Sequence, residues 1–371
     1  MIKSKIALSV LVFALIVTTF VPFAFAATYN GNSTTMTFDV LAGGASYAPY
    51  AVPVNPEGHY CTRDSSACFQ INNVTSNYNI QNVYFELKGS SYPTTSSPTI
   101  TIPGSAAGSS SWWGLFDWED IGGYDTYTVT AYAQSSNGNV YTWTKSIKLD
   151  IAKPSLGNID IYSHGNYVIG TDGNPAVNNN ISVSVYVSDG SPFRTSWIKE
   201  VSISVLSENH SEVIGSVTKT TNGQYQNWGS YNADFNLLSL GEIEKKLCVR
   251  VIATDYAGNR TTAYKYFTYD RASAKGYFTK GTTTATTVEY FYTTYNDASG
   301  IMYPTFFMWT EANGQDDLRA VIGQQVSSNR WRVVLNKANH NNESGLYHIH
   351  VWSSDIIGNF SFGAGTTYQM N

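Results

Sequence analysis

The sequence predicts an all-β chain: three tandem antiparallel β-sandwich domains of immunoglobulin-like type, following a signal peptide. Three observations carry this reading. The first is a pattern that occurs three times. Tyr347, Ile349 and Val351 alternate as apolar residues and lead to Gly358-Asn359. Leu247, Val249, Val251 and Ala253 lead to Gly258-Asn259, and Tyr127, Val129, Ala131 and Ala133 lead to Gly138-Asn139. In each copy the first core residue stands 11 positions before the glycine. A period of two is that of a strand with one buried face, and Gly-Asn supplies the backbone freedom of a tight reversal. Each copy therefore reads as a penultimate strand, a turn and a final strand, used once per domain. The second observation is composition. The 371 residues are 14% aromatic, with 27 tyrosines, but only 13% charged, a mixture suited to exposed sheet with polar turns. The third is that no long stretch carries a 3.6-residue period. Ser239 to Leu247 comes nearest and is short.

Residues 1–26 read as a targeting segment. Lys3 and Lys5 precede the apolar run Ile6 to Phe20, and Ala24-Phe25-Ala26 offers a small-x-small cleavage site before Ala27. Its removal carries the formal charge from −5 to −7. That balance argues against a nucleic-acid partner, because phosphate binding needs clustered Lys and Arg. No second apolar run is long enough to span a bilayer, so the expected product is secreted, extracellular or surface-associated, and not membrane-spanning after cleavage. No Leu-Pro-x-Thr-Gly sorting signal is present.

The first domain covers 27–152. Its opening is rich in Tyr, Pro and Asn and holds Cys61 and Cys68, close in sequence in a compartment that permits disulfides. A bridge between them is the candidate disulfide. Val83, Phe85 and Leu87 alternate as a strand. Gly104 to Ser111 reads as a Ser/Gly-rich loop leading into Trp112, Trp113, Phe116 and Trp118. The second domain covers 153–270, with strands at Ile181 to Val187 and Val201 to Val205. Cys248 alternates out of phase with Leu247 and Val249 and is expected as a partly covered free thiol. The third domain covers 271–371, entered by the short polar linker Arg271 to Lys275. Val288, Tyr290 and Tyr292 alternate, as do Trp331, Val333 and Leu335. Units of this size with several short strands match a two-sheet sandwich that buries its own core. Tyr347 stands two residues before a buried position at the start of a penultimate strand, where a tyrosine corner belongs. Tyr127 holds the matching place, and Leu247 does not reproduce it.

The third domain also resembles the GBS Bsp-like repeat. The resemblance rests on Trp309-Thr310-Glu311, Gly314-Gln315-Asp316-Asp317 and Asn339-His340-Asn341-Asn342-Glu343-Ser344-Gly345, continued by Tyr347, Ile349, His350 and Val351. Where the family leads one to expect an aromatic pair soon after Asp-Asp, the chain reads Leu318-Arg319-Ala320-Val321. Thr254-Asp255-Tyr256-Ala257-Gly258-Asn259 is similar to endings of bacterial surface Ig-like modules. The resemblance implies an extracellular, non-catalytic accessory module. It also implies structural roles for His340 and His350, tied to Asp316 or Asp317 by charge-assisted hydrogen bonds.

Several constellations carry groups capable of chemistry. His348 and His350, two apart on one strand, present the spacing of a shared metal, with His340 or Asp316 as further ligands. An ordinary sheet face, its imidazoles bonded to neighbouring polar groups, accounts for them better. Asp189, Asp255 and Asn259 offer oxygens of the kind calcium takes, but without a dense Asp-x-Asp array. No metal and no cofactor is assigned on these grounds. Asp117, Glu119 and Asp120 beside Trp118 read as solvated acids rather than a glycosidase pair. No Gly-x-Ser-x-Gly elbow or His-Glu-x-x-His motif occurs, so no catalytic residue is assigned and an enzyme is not expected. Trp112, Trp113, Phe116 and Trp118 form the candidate ligand-binding segment: a sugar-stacking loop, or a plug over the sandwich end. The expectation is a non-catalytic chain of the bacterial envelope that binds wall or surface glycans. The alternatives are a structural spacer or an adhesin for a host or bacterial surface protein, or an accessory chain to a wall hydrolase.

Overall fold

The computed structural model describes residues 37–42, 50–51, 54–62, 66–72, 78–89, 99–106, 110–117, 126–190, 196–221 and 226–371. The targeting segment and Trp118 lie outside them. The described regular elements are strands, broken only by short 3-10 turns such as Leu238–Leu240 and Lys337–Asn339. The segment with the nearest approach to helical periodicity thus resolves into a 3-10 turn and the start of the strand Glu244–Asp255. Among the described residues no helix is long and apolar enough to cross a membrane.

The chain falls into two compact units, one from 1–52 and 64–147, the other from 53–63 and 148–371. In the first, one sheet orders Tyr50–Ala51, Thr37–Ala42, Ser66–Asn72, Trp112–Asp117 and Ser105–Ala106. The facing sheet runs Val140–Leu149, Thr126–Ser135, Ile80–Gly89 and Thr99–Pro103. Inward residues of both sheets are buried: Phe69 and Ile71 from one, Val83, Phe85, Leu87, Tyr127 and Val129 from the other. Phe69 and Phe85 meet with ring centroids 5.7 Å apart.

The second unit holds two sandwiches. One pairs the three-stranded sheet Ser155–Ser163, Ile181–Ser188 and Trp228–Phe235 with a six-stranded sheet. The latter runs Tyr167–Ile169, Pro175–Val177, Arg260–Asp270, Glu244–Asp255, Ile198–Ser207 and Val213–Thr220. Ile181, Val183, Val185, Val201, Ile203, Val205, Leu247, Val249 and Val251 fill its core. Cys248 lies on the other face of its strand, as its phase requires, but is fully covered rather than partly so, with a free thiol. The other sandwich faces two four-stranded sheets. Gly276–Thr283, Thr287–Thr294, Arg330–Asn336 and Gln324–Ser327 form one; Arg319–Ile322, Ile301–Thr310, Gly345–Asp355 and Phe360–Met370 form the other. Val288, Tyr290, Tyr292, Trp331, Val333, Leu335, Ile349 and Val351 are buried between them. The linker between these sandwiches is not free. Ala274 is buried, and Lys275 Nζ donates to the Phe362 carbonyl at 3.2 Å.

The thrice-repeated turn has one geometry. Ser135, Asp255 and Asp355 each receive the Gly138, Gly258 or Gly358 amide on the backbone carbonyl, and each donates its own amide to the carbonyl of Asn139, Asn259 or Asn359. The three glycines have φ of 89°, 87° and 97°, a region that penalises any side chain. That explains why glycine stands at a fixed distance from each strand.

Tyr347 is fully buried, and its hydroxyl donates to the Glu343 carbonyl at 2.7 Å. This bond ties the start of the penultimate strand to the turn before it. Tyr347→Phe keeps the ring and loses the bond. The variant is expected to lose on the order of 1 kcal/mol, read as a lower denaturant midpoint for the second unit. An unchanged midpoint removes the corner role.

Candidate functional site

The Trp112-to-Trp118 segment is where the structure first departs from expectation. Trp112–Asp117 is a strand, not a loop, paired with Ser66–Asn72 on one side and Ser105–Ala106 on the other. Neighbours in a strand point to opposite faces. Gly114 sits against the Phe85 ring and Ile102, so closely that a Cβ there would lie 2.7 Å from Phe85. Trp112 shares that inward face with Gly114, and Trp113 shares the outward face with Leu115. Both tryptophans are half-buried. They therefore do not combine into one stacking platform. The side chain of Phe116 lies outside the described residues, as do Glu119 and Asp120. Cys61 is a buried free thiol, pushed up from its ordinary pKa by burial, and donates to the His59 carbonyl at 3.4 Å. The side chain of Cys68, its expected partner, lies outside the described residues.

A contiguous aromatic surface lies instead on the third sandwich. The strands Ile301–Thr310, Gly345–Asp355 and Phe360–Met370 turn Phe306, Met308, Ile349 and Val351 inward. Their other face carries Trp309, His348, His350, Trp352, Phe360 and Phe362. The rings form one row. Trp309 stacks on His348 at 5.1 Å and 11° and meets His350 edge-on at 4.7 Å. His350 meets Phe362 at 5.3 Å, and Trp352 contacts both Phe362 at 6.2 Å and Phe360 at 5.3 Å. Trp352, Phe362 and Phe360 are 36%, 42% and 58% exposed, so the row faces solvent. At its far end His348 Nε2 lies 2.8 Å from Glu311 Oε1. Burial, helped by neighbouring His348, holds His350 below the ordinary histidine pKa.

The histidines expected to act together are separated. His340 is buried on the Tyr347 side, edge-on to that ring at 5.5 Å. Its Nδ1 lies 3.1 Å from the Asp317 carbonyl and 3.2 Å from Asp317 Oδ2. Two acceptors around one ring nitrogen place the proton on Nδ1. Asp317 also receives the Thr310 amide, at 3.0 Å and 3.1 Å on its two oxygens, which anchors the Asp-Asp turn. Asp316 accepts a long contact from Asn341 Nδ2 at 3.4 Å, and its carboxylate lies within 4.8 Å of those of Asp317 and Glu343. His350 takes no part in this network and belongs to the aromatic row. Sequence reasoning placed His348 and His350 on the outer face. It did not extend the alternation to Trp352, nor follow Phe360-x-Phe362 along the neighbouring strand.

Buried acids form the other constellation. Asp150, Asp189 and Asp255, distant in sequence, bring carboxylate oxygens within 4.8 Å of one another. Asp189 and Asp255, two of the residues weighed as calcium ligands, are thus joined by Asp150; the third, Asn259, acts as a donor. Its side-chain amide spans the Asp150 carbonyl at 2.8 Å and Asp255 Oδ2 at 2.9 Å. Asp150 receives the Ser196 and Ala152 amides at 2.6 Å and 2.9 Å. Trp197 donates its amide to Asp189 at 2.8 Å. Burial pushes Asp255 up to about 8, reinforced by Asp150 and Asp189 and offset by Asn259. Asn359 repeats the arrangement. It spans Asp355 Oδ2 at 2.7 Å and the Asp270 carbonyl at 3.1 Å.

Residues 278–368 match the model of the GBS Bsp-like repeat family. No curated protein sequence matches the chain. Among solved structures, the chain is similar to a 1.5-MDa bacterial ice-binding adhesin described for host cell surface retention. Identity is 14% over 92% of this chain and 98% of that chain, with a TM-score of 0.36. A Ca2+-stabilised adhesin with which an Antarctic bacterium binds ice is 15% identical over 91% of this chain and 74% of that one, with a TM-score of 0.32. Trypsin-activated alpha-2-macroglobulin from Escherichia coli is 9% identical over 94% of this chain and 24% of that one, with a TM-score of 0.27.

The Asp255 environment gives a pH dependence of definite sign. Its folded pKa, about 8, lies above the ordinary aspartate value of 3.8. The folded state therefore holds a proton that the unfolded state releases. The stability from this group is present below about 3.8 and is lost as pH rises through about 8. Asp255→Asn, with no proton to release, is expected to flatten the fall in melting temperature over that range. An equally steep fall in the variant refutes the assignment.

Proposed function

We propose that this chain is a non-catalytic extracellular protein of the bacterial envelope that binds wall or surface glycans through the aromatic row of its third sandwich. The observation that carries the proposal is the solvent-facing run of Trp309, His350, Trp352, Phe360 and Phe362 on one sheet. Flat ring faces stack on the apolar faces of sugar rings, and exposed contiguous apolar surface on a small domain marks a binding site. The row is open rather than enclosed, which suits an extended polymer. Glu311 and His348 at one end supply hydrogen-bonding groups for sugar hydroxyls. Stacking makes few demands on the order of sugars, so broad specificity and modest affinity are expected. The targeting segment supports an extracellular location, as does the resemblance of the third domain to a family of bacterial surface modules. This row takes the place of the Trp112-to-Trp118 segment as the contact surface.

The second reading is a spacer or protein-binding adhesin. It is favoured by the way the two sandwiches of the second unit meet through bonds to main-chain carbonyls. The Thr171 amide donates to the Ala298 carbonyl at 2.9 Å, and Asn166 Nδ2 donates to the Ile357 carbonyl at 2.7 Å. Such contacts suit a chain that must hold its sandwiches in register.

The test is sedimentation of the purified chain with isolated cell walls. The parent is expected to pellet. The double variant Trp352→Ala/Phe362→Ala is expected to remain in solution with nearly the parent melting temperature, because substitutions at exposed sites are usually within about 0.5 kcal/mol. Full pelleting of the double variant sinks the aromatic row as the contact. Pelleting that survives removal of wall polymers but not of surface proteins favours the adhesin reading.

A further inference from the structure

We propose that Glu244, Asp270 and Asp297 form a calcium site that locks the second sandwich to the third. Glu244 and Asp270 are cross-strand partners at the end of the second sandwich, and Asp297 lies between the strands Thr287–Thr294 and Ile301–Thr310 of the third. Their carboxylate oxygens lie within 4.8 Å of one another. Asp270 is completely buried, and its Oδ2 has no hydrogen-bond partner. An unsatisfied buried carboxylate oxygen costs free energy unless a donor or a cation meets it. The other oxygen, Oδ1, takes the Asn359 side-chain amide at 3.3 Å, which leaves Oδ2 as the atom turned to the cluster without a donor.

The surrounding charges point the same way. Asp355 directs both carboxylate oxygens to Asn359, so it adds negative field without being free to ligate. The remaining bonds hold the ligands in place. The Ala298 amide donates to Glu244 Oε2 at 3.3 Å, while Ser299 Oγ and the Gly300 amide donate to Asp297 Oδ1 at 2.9 Å and 3.1 Å.

The donor set selects the metal. All three ligands are hard carboxylate oxygens, with no sulfur or imidazole, which disfavours zinc and copper. The carboxylates come from two paired strands of one sandwich and a connecting segment of the next. Calcium accepts six to eight oxygens in flexible geometry, including bidentate carboxylates, whereas magnesium demands a near-ideal octahedron and keeps its water. Because two ligands belong to one sandwich and the third to the next, occupancy stabilises their junction by mass action.

The experiment is calorimetric titration of the full chain with calcium chloride near neutral pH, after removal of divalent ions. Saturable binding is expected, with a dissociation constant of about 10⁻⁴ to 10⁻³ M, as in extracellular calcium modules, and magnesium is expected to bind more weakly. Glu244→Gln and Asp297→Asn are each expected to reduce the stoichiometry by one site or weaken that site at least about tenfold. Asp255→Asn is expected to retain it. Glu244 is exposed, so Glu244→Gln reads the site even where Asp297→Asn fails to fold. The proposal is overturned by a parent chain that binds no calcium at about 10 mM, well above the expected range. It is also overturned by binding that Glu244→Gln leaves unchanged, or that Asp255→Asn alone abolishes.

Discussion

The second unit depends on one repeated interaction: an asparagine side chain that clamps a turn to the segment entering its own sandwich. Asn259 and Asn359 follow their aspartates, Asp255 and Asp355, by four residues. Each receives an acceptor-rich pocket made by its own aspartate and by the carbonyl of a distant aspartate, Asp150 or Asp270. The clamp is made only when the penultimate strand, the positive-φ glycine and the incoming chain are all in place. In this way the end of each sandwich reports on its beginning. The first unit carries the same turn with Ser135 in place of aspartate. There Ser135 Oγ bonds locally to Asn137 and to the Asn139 carbonyl.

The clamp has an electrostatic consequence. Drawing aspartates from the incoming chain, from an intervening loop and from the turn into one buried place concentrates negative charge where water does not screen it. Desolvation is the largest cause of the upward shift at Asp150, Asp255, Asp270, Asp297 and Asp355. Asn259 and Asn359 are neutral donors and only partly offset this.

The aromatic row obeys a different constraint. A sheet in a two-layer sandwich has one face committed to the core, and in the third sandwich Phe306, Met308, Ile349 and Val351 meet that commitment. The opposite face is free to carry any chemistry that tolerates water. Here successive outward positions on three neighbouring strands carry rings, so cross-strand proximity joins Trp309, His348, His350, Trp352, Phe362 and Phe360 into one surface. Gly365 leaves room for it: a Cβ there would lie 3.2 Å from both the His350 and Phe362 rings. The flatness follows from the sheet itself.

The amino-acid sequence alone determined the all-β class, the core strands and the three turns. These are local properties. A two-residue period selects a buried face, and a glycine with positive φ marks a reversal whatever surrounds it. The corner at Tyr347 was legible for the same reason, because ring, turn and acceptor lie within four residues. The tertiary structure decided what depends on neighbours from afar. Trp112 and Trp113 read as a loop because Ser and Gly precede them, yet pairing with Ser66–Asn72 makes them a strand and sends them to opposite faces. His350, placed beside Asp316 or Asp317 by resemblance, joins the aromatic row because strand direction faces it away from His340. The acids of the two junctions are scattered through the chain and form no spaced motif. They converge because strand pairing and the stacking of sandwiches, which no local pattern encodes, bring the ends of separate strands to one place.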